Sequence, residues 1–317
     1  MIAIALVDLL TFGRPLIPTA PAAAYEGAAK IPSFLRDSEE PFRILTAETY
    51  EYNTMFSAYT RFADFGPGDE ETIRALRGSL LPNLCAVEGV ETGSNYDPML
   101  DARTLQMRQI AEAAEGETQK RLLAAMNVRY LVTRAPVETL ETALDAPGLA
   151  VSENDAVFSR MRFVSDADQV ERSEDWEEIL QRGDFRADHV WVEAPPMEGS
   201  GAASDSARVS WTSSHNALSA QAVTPGVGYL VISETYHRGW RAWDNGAPVP
   251  VLRADYVFMA VPLGQAGQHA VELRFQPISW TAGCVISGAA LVVVLMLLLW
   301  LRRSIPTDAL HKRSDVR

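Results

Sequence analysis

Cysteine is nearly absent from this chain, which has two cysteines in 317 residues. Cys284 lies inside a long apolar run and Cys85 lies far outside it, so we expect no disulfide between them. The five histidines are scattered, and no H-x-x-x-H or C-x-x-C spacing indicates a metal site. The sequence therefore predicts an outer part held together by its apolar core, with no metal.

Basic charge is also scarce, because the formal net charge is −13. The residues that follow the apolar run carry five Lys or Arg against two Asp, so the rest of the chain bears about −16. Binding to nucleic acid depends on neutralising phosphates with Lys and Arg. We therefore expect no nucleic-acid partner.

One long stretch, Trp280 to Leu301, has no charged residue. It exceeds the roughly 20 apolar residues that cross a bilayer as a helix, and Trp is favoured at membrane interfaces. The sequence predicts a transmembrane helix over 280–301 and the lipid bilayer as a partner. The basic tail, 302–317, marks the cytoplasmic side, so we expect the main domains to lie outside the plasma membrane.

The first apolar segment, 1–12, is too short to span a bilayer and contains Asp8. A secretory signal fits poorly, because no Lys or Arg precedes the apolar run. We favour the outer end of a membrane helix whose beginning is missing. An acid inside such a segment is costly and often functional, although Asp8 is close enough to Gly13 to reach the headgroups. The Pro-rich stretch 13–30 reads as a linker.

Residues 31–194 alternate between helical and strand patterns, which predicts a mixed α/β domain. The predicted strands are Phe42 to Thr46, Val128 to Thr133, Val157 to Val164 and His189 to Glu193. The predicted helices are Asp69 to Leu76, Met99 to Ala114, Thr118 to Met126 and Ser173 to Leu180, the last with Ser173 as N-cap. The acidic Asp69, Glu70 and Glu71 are explained by the helix dipole.

The stretch from Ala194 to Asp205 is rich in Pro, Gly, Ser and Ala, which predicts a domain boundary. Short alternating strands separated by turn residues follow, and this spacing predicts an antiparallel β-sandwich over 206–277. These strands are Ala207 to Thr212, Ala217 to Val223, Tyr229 to Ser233, Val249 to Arg253, Val257 to Pro262 and His269 to Phe275. The predicted fold class is thus an α+β outer domain, a β-sandwich and one C-terminal transmembrane helix.

The run from Gly228 to Pro277 resembles the end of the outer domain of the YfhO family, bacterial membrane proteins with a GT-C glycosyltransferase architecture. The matching features, in order, are Gly239-Trp240, the D-x-G turn at Asp244, the aromatic Phe258, the G-x-H of Gly267 and His269, and the F-x-P that ends at Pro277. Earlier pieces agree with it, including LLPNL, the Asn95-Tyr96-Asp97-Pro98 turn and MNVRYLVT. The order of these pieces carries the resemblance.

The resemblance implies transfer of a sugar from a polyprenyl-phosphate donor to a cell-envelope glycan acceptor. In that family the catalytic acid lies in an early outer loop between membrane helices, and nothing in this sequence corresponds to that region. The expected function is therefore the outer domain and last helix of a YfhO-like protein that needs upstream membrane helices or a partner membrane subunit. We expect no catalytic residue, no bound cofactor in this chain, and no sugar transfer by the chain alone.

Six residues are candidate contacts for a sugar or a lipid phosphate: Asn95, Tyr96, Asp97, Tyr236, Arg238 and Trp243. Turn formation explains the first three equally well. We expect Gly239 to allow a tight bend and Trp240 to fill the sandwich core. His237 and His269 have no carboxylate partner that the sequence reveals. The alternative function is a membrane-anchored carbohydrate-binding or scaffold module without chemistry.

Overall fold

The structure is a computed structural model that describes residues 2–13, 22–26, 31–36, 40–54, 70–94, 100–199 and 206–304. It contains both helices and strands, with several antiparallel sheet pairings and one long apolar helix at the C-terminal end. The predicted fold class is therefore confirmed. The candidate residues Asn95, Tyr96 and Asp97 and the tail beyond residue 304 lie outside the described residues.

Eight α-helices lie in these ranges. They are α1 (Ile2–Gly13), α2 (Glu48–Asn53), α3 (Glu70–Gly78), α4 (Leu84–Val87), α5 (Ala102–Ala113), α6 (Gly116–Ala125), α7 (Asp175–Arg182) and α8 (Ile278–Ser304). The prediction that Ser173 caps α7 is wrong, since the N-cap residue is Glu174 and its side chain makes no capping bond. Asp175 instead accepts a hydrogen bond from the backbone N–H of Arg172 at 3.2 Å and pairs with its guanidinium at 2.6 Å.

Fifteen strands are described. They are β1 (Arg43–Thr46), β2 (Val128–Thr133), β3 (Glu141–Ala146), β4 (Leu149–Glu153), β5 (Met161–Val164), β6 (Asp166–Gln169), β7 (His189–Val192), β8 (Arg208–Ser214), β9 (Ala217–Thr224), β10 (Gly228–Ile232), β11 (Trp240–Asp244), β12 (Ala247–Val249), β13 (Leu252–Ala254), β14 (Phe258–Leu263) and β15 (Gly267–Phe275). They form three sheets of four, six and five strands.

The four-stranded sheet has the order β1-β2-β4-β3, with β1 parallel to β2 and the other pairs antiparallel. The predicted strand Val128 to Thr133 is confirmed as β2, which is an inner strand between β1 and β4. On β2, Leu131 packs into a core shared with α5, α6 and α7, whereas Tyr130 and Val132 face the opposite core. Alternation along a β-rich strand thus buries both faces of the sheet.

The six-stranded sheet crosses the expected domain boundary. Its order is β5-β10-β14-β13-β7-β6, so β5, β6 and β7 from before residue 194 pair in one sheet with β10, β13 and β14 from after residue 206. The Pro- and Gly-rich stretch therefore does not divide the chain into two separate sheet units, and that expectation is corrected. Strands from before and after this stretch complete each other's ladders.

The five-stranded sheet has the order β12-β11-β15-β9-β8, and all its pairings are antiparallel. Its inner face packs on the inner face of the six-stranded sheet. Leu218, Leu273 and Val271 from one sheet meet Leu230 and Met259 from the other in a single buried cluster. Two facing sheets thus form a sandwich. It is not built from residues 206–277 alone, because β5, β6 and β7 belong to one of its sheets and β6 is parallel to β7.

The predicted strand from Val249 to Arg253 is split into β12 and β13. Pro250 lies between them, and proline has no backbone N–H to donate to a ladder. The chain leaves β12 in the five-stranded sheet and enters β13 in the six-stranded sheet at this point. The segment therefore connects the two layers of the sandwich.

Helix α8 is long and apolar enough to cross a membrane over Ile278–Trp300, and none of that span is buried against the rest of the protein. The shorter helix α1 also exposes its apolar side chains, with Leu9, Leu10 and Phe12 about two-thirds exposed or more. An unburied apolar helix of 23 residues fits a bilayer better than water. The sandwich is joined directly to this helix.

Candidate functional site

The site of interest is the rim of the sandwich where the chain enters the membrane. Strand β15 ends at Phe275, and α8 begins three residues later at Ile278. Two backbone hydrogen bonds fix this exit: Phe275 N–H donates to Asn216 O at 2.8 Å, and Gln276 N–H donates to Gly239 O at 2.7 Å. The hairpin before β9 and the loop before β11 therefore hold the start of the membrane helix.

Glycine is required at position 239 because the neighbouring atoms leave no space for a side chain. A Cβ built on it would lie 3.0 Å from His237 Nδ1, from Phe275 Cε2 and from Pro277 Cα. Its φ lies outside the left-handed region. The expected tight bend is present, since Trp240 N–H donates to His237 O at 3.0 Å, and the loop also packs closely against the strand–helix junction. The Gly-Trp and F-x-P pieces of the sequence thus form one structural unit.

Trp240 packs on the sandwich core, but it is half-buried. Its ring centroid lies 5.4 Å from that of Phe275, its register partner on β15. Trp240 therefore belongs to the core only in part, and not fully as predicted, because its ring covers the membrane-proximal end of the core. This position keeps Trp240 structural and away from the outer face.

Two arginines stand directly opposite each other on the outer face of the five-stranded sheet. Antiparallel register pairs Arg241 of β11 with Arg274 of β15, and both side chains are exposed. Like charges at directly opposed positions destabilise a sheet. Arg274 is partly compensated by Glu272, whose Oε2 lies 3.1 Å from its Nη2. Among the described residues, Arg241 has neither an ion pair nor a hydrogen bond through its side chain.

Trp243 lies on the same outer face, two residues after Arg241. It is half-buried, it is the register partner of Glu272, and the Arg274 guanidinium carbon lies 5.9 Å from its ring centroid. The next strand continues this face with the exposed polar side chains of Ser219 and Gln221. The rim thus combines two cations, an aromatic ring and hydroxyl or amide groups on an open surface.

The other predicted contacts do not all join this surface. Arg238 is exposed on the loop before Gly239, at the membrane-proximal end. Tyr236 instead packs against the sandwich core, under the Arg253 guanidinium at 4.5 Å, and its N–H donates to Val257 O at 2.7 Å. Tyr236 and Trp243 therefore belong to different faces and form no shared aromatic platform.

His269 has a carboxylate partner, contrary to what the sequence suggested. Its Nδ1 lies 2.7 Å from Asp244 Oδ2, and its Nε2 lies 3.1 Å from Gln265 O. The D-x-G turn and the G-x-H piece are thus tied together inside the sandwich, where His269 is 1% exposed. This role is structural.

A buried charge cluster holds the loop that leads to the rim. Arg43 of β1 donates to Ser233 O at 2.6 Å and to Glu234 Oε1 at 2.9 Å. Arg160 pairs with the same Glu234 and with Glu91. Burial lowers the pKa of Arg43, and the Glu234 carboxylate opposes that shift. The cluster links the four-stranded sheet to the end of β10, from which the chain runs to Gly239.

Sequence reasoning missed Arg274 and the Arg43 cluster. Only the strand register shows that Arg274 lies opposite Arg241, because 33 positions separate the two residues in the sequence.

Within the described ranges, no group of three or more His, Cys, Asp or Glu side chains could hold a metal ion.

Residues 202–287 match the family model described as bacterial membrane protein YfhO. The resemblance to the YfhO family is confirmed. The YfhO segment covers the strands β8 to β15 and the first turns of α8, and therefore the whole rim. Together with α8 it supports a membrane location. Searches among curated proteins and solved structures found no match.

Proposed function

We propose that this chain is the outer domain and last membrane helix of a YfhO-like protein that acts in lipid-linked sugar transfer. In this proposal the rim holds the phosphate of a polyprenyl-phosphate sugar donor, and a cell-envelope glycan is the acceptor. The main domains lie outside the bacterial plasma membrane and the C-terminal tail lies in the cytoplasm. The catalytic group comes from membrane helices upstream or from a partner subunit.

The observation that carries the proposal is the opposed pair Arg241 and Arg274. An anion between them would relieve their repulsion, and Arg binds phosphate through two parallel hydrogen bonds. Arg274 precedes Ile278 by four residues, or roughly 13 Å of extended chain at about 3.3 Å per residue. The pair therefore stands close to the headgroup layer, where the phosphate of a membrane-embedded donor would lie.

The alternative, a carbohydrate-binding module without chemistry, is favoured by one feature. Trp243 lies beside Ser219 and Gln221 on an open sheet face, and an aromatic ring flanked by polar groups can stack on a sugar. The two proposals differ in ligand charge. A neutral sugar does not need the opposed arginines.

The test is a titration of the full chain in lipid nanodiscs with geranyl phosphate, a short prenyl phosphate, and with geraniol. We expect binding of geranyl phosphate, and about tenfold weaker binding for each arginine lost in Arg241→Gln and Arg274→Gln. Arg182→Gln is the matched control, because Arg182 is exposed and pairs with Glu178 on α7. Equal affinity in the double variant, or equal binding of geraniol, would refute the proposal.

A further inference from the structure

The sandwich has one open side, where the last strands of its two sheets lie beside each other. Strand β8 ends the five-stranded sheet and β5 ends the six-stranded sheet. Both strands line a groove of about 630 Å³, to which Met161, Val209 and Trp211 contribute apolar side chains. Strand β9 separates β8 from the arginine pair of the rim. The groove is therefore a different surface from the rim.

The outer edge of β8 carries unpaired backbone groups. Strand β8 pairs with β9 along its whole length without a bulge, and a two-residue turn joins Ser214 to Ala217. In such a hairpin the residues beside the turn exchange backbone hydrogen bonds, and the bonded residues recur at every second position. The N–H and C=O groups of Val209, Trp211 and Ser213 therefore point away from β9. Among the described residues, none bonds to these groups.

The other five edge strands of the described sheets are protected in ways that β8 is not. Strand β5 is buried along its length, and the backbone of residues 91–93 bonds to β1. Strand β12 has three residues including Pro248, β6 exposes Asp166 and Asp168, and β3 has an irregular register. Strand β8 has seven residues without Pro, Lys, Asp or Glu, and its one charge, Arg208, is at its start. An edge strand without protection is a template for an added strand.

The exposed charge at the groove is acidic. Glu40 and Glu91 line it and are exposed, the Glu91 side chain by 54%. Arg160 also lines it, but its side chain is 4% exposed and is shared between Glu91 and Glu234. A Lys or Arg of an incoming segment would be attracted to these acids. A second copy of the chain brings the same acidic groove and a net charge of −13, so it fits this edge poorly.

We propose that β8 binds an extended segment of a partner protein, which adds a sixth strand to the five-stranded sheet. Apolar side chains at alternate positions of that segment enter the groove beside Met161 and Trp211, and a Lys or Arg contacts Glu91. The outward groups of β8 extend over about 14 Å from Val209 to Ser213 at about 3.4 Å per residue, so about five residues of the partner cover them. This inference does not depend on phosphate binding at the rim.

The probe is the fluorescein-labelled peptide Lys-Thr-Val-Thr-Val-Thr-Val, titrated against the full chain in lipid nanodiscs and followed by fluorescence anisotropy. A second peptide carries the lysine at its other end, so that both strand directions are tested. We expect saturable binding of one of them. Glutamate in place of the lysine should weaken that binding about fivefold, because it meets Glu40 and Glu91.

The variant that closes the edge is Ser213→Pro. It removes an outward N–H and leaves the bonds between β8 and β9, because proline is tolerated where the N–H of an edge strand faces solvent. We expect about tenfold weaker peptide binding, from the lost hydrogen bond and from the ring in the pairing edge. Ser213→Ala is the matched control, since it keeps the N–H and should bind like the unchanged chain. Arg241→Gln, at the rim, should also leave peptide binding unchanged.

Equal peptide binding by Ser213→Pro and Ser213→Ala would overturn the proposal, and so would the absence of saturable binding by both peptides. If Ser213→Pro lowers the melting temperature, a fully N-methylated peptide makes the same test on the unchanged chain. That peptide cannot donate backbone hydrogen bonds and should not bind, so binding equal to that of the parent peptide would overturn the proposal. A dimer in detergent that Ser213→Pro dissociates would assign the edge to a second copy and overturn it too.

Discussion

Replacing Gly239 with alanine tests the joint between the sandwich and the membrane helix. The new Cβ would lie 3.0 Å from three atoms, of which Pro277 Cα is backbone and Phe275 Cε2 is held in the core edge. Carbon atoms pack best at about 3.5 to 4.0 Å, so each neighbour must move by several tenths of an ångström. Overpacking of this kind costs about 1–3 kcal/mol. We expect roughly 2 kcal/mol, or about 4–8 °C in Tm for a domain of this size.

The assay is thermal unfolding of the full chain in detergent, followed by tryptophan fluorescence, because Trp240 adjoins the joint. Gly264→Ala is the matched control. A Cβ at Gly264 meets nothing within 4 Å and its φ is ordinary, so this change should leave Tm unchanged or raise it slightly. If Gly239→Ala and Gly264→Ala unfold at the same temperature, the joint is looser than the contacts indicate and the packing argument is wrong.

Three further predictions concern stability and topology. Burial raises the pKa of Glu51 to about 7 despite the nearby Arg108, so folding favours the protonated form of Glu51. The free energy of unfolding should therefore fall by up to about 3 kcal/mol as the pH rises from 4.5 to 7. Unfolding measured across this pH range should lose that dependence in Glu51→Gln. Trp240→Ala should lower the free energy of unfolding by about 2 kcal/mol, since the Trp240 ring is half-buried against Phe275. If the variant keeps its melting temperature and loses only ligand binding, Trp240 contacts the ligand instead. An alkaline phosphatase fused after Arg317 should be inactive, because the basic tail is expected in the cytoplasm; an active fusion would reverse the topology.

Local patterns predicted the elements that are fixed by local chemistry. Strands β2, β8, β9, β10, β14 and β15 follow from alternation and turn residues, and α8 follows from an uncharged run longer than the bilayer core. The acidic start of α3 is also as expected, since Glu70 and Glu71 lie in its first turn. In these cases the element is stabilised by residues close to it in the sequence or by its preference for lipid or water. Strand β11 was not predicted, and β12 and β13 were predicted as one strand.

Long-range pairing could not be read from the sequence. Nothing local indicates that β5 lies beside β10 across the Pro- and Gly-rich stretch, because either segment alone fits a strand of a separate sheet. The opposed Arg241 and Arg274 and the Asp244–His269 bond depend on strand register in the same way. A shift of one residue would put Arg274 on the other face. The candidate site could therefore be predicted only in part.

Photo-cross-linking to a polyprenyl phosphate tests the phosphate-binding rim most directly. The full chain in nanodiscs that contain the lipid would carry p-benzoylphenylalanine in place of Trp243, or in place of Arg182 as the control. We predict a cross-link to the lipid from position 243, lost when Arg241→Gln and Arg274→Gln are added, and none from position 182. Equal labelling from both positions, or labelling at 243 that survives the loss of both arginines, would contradict the proposed phosphate contact.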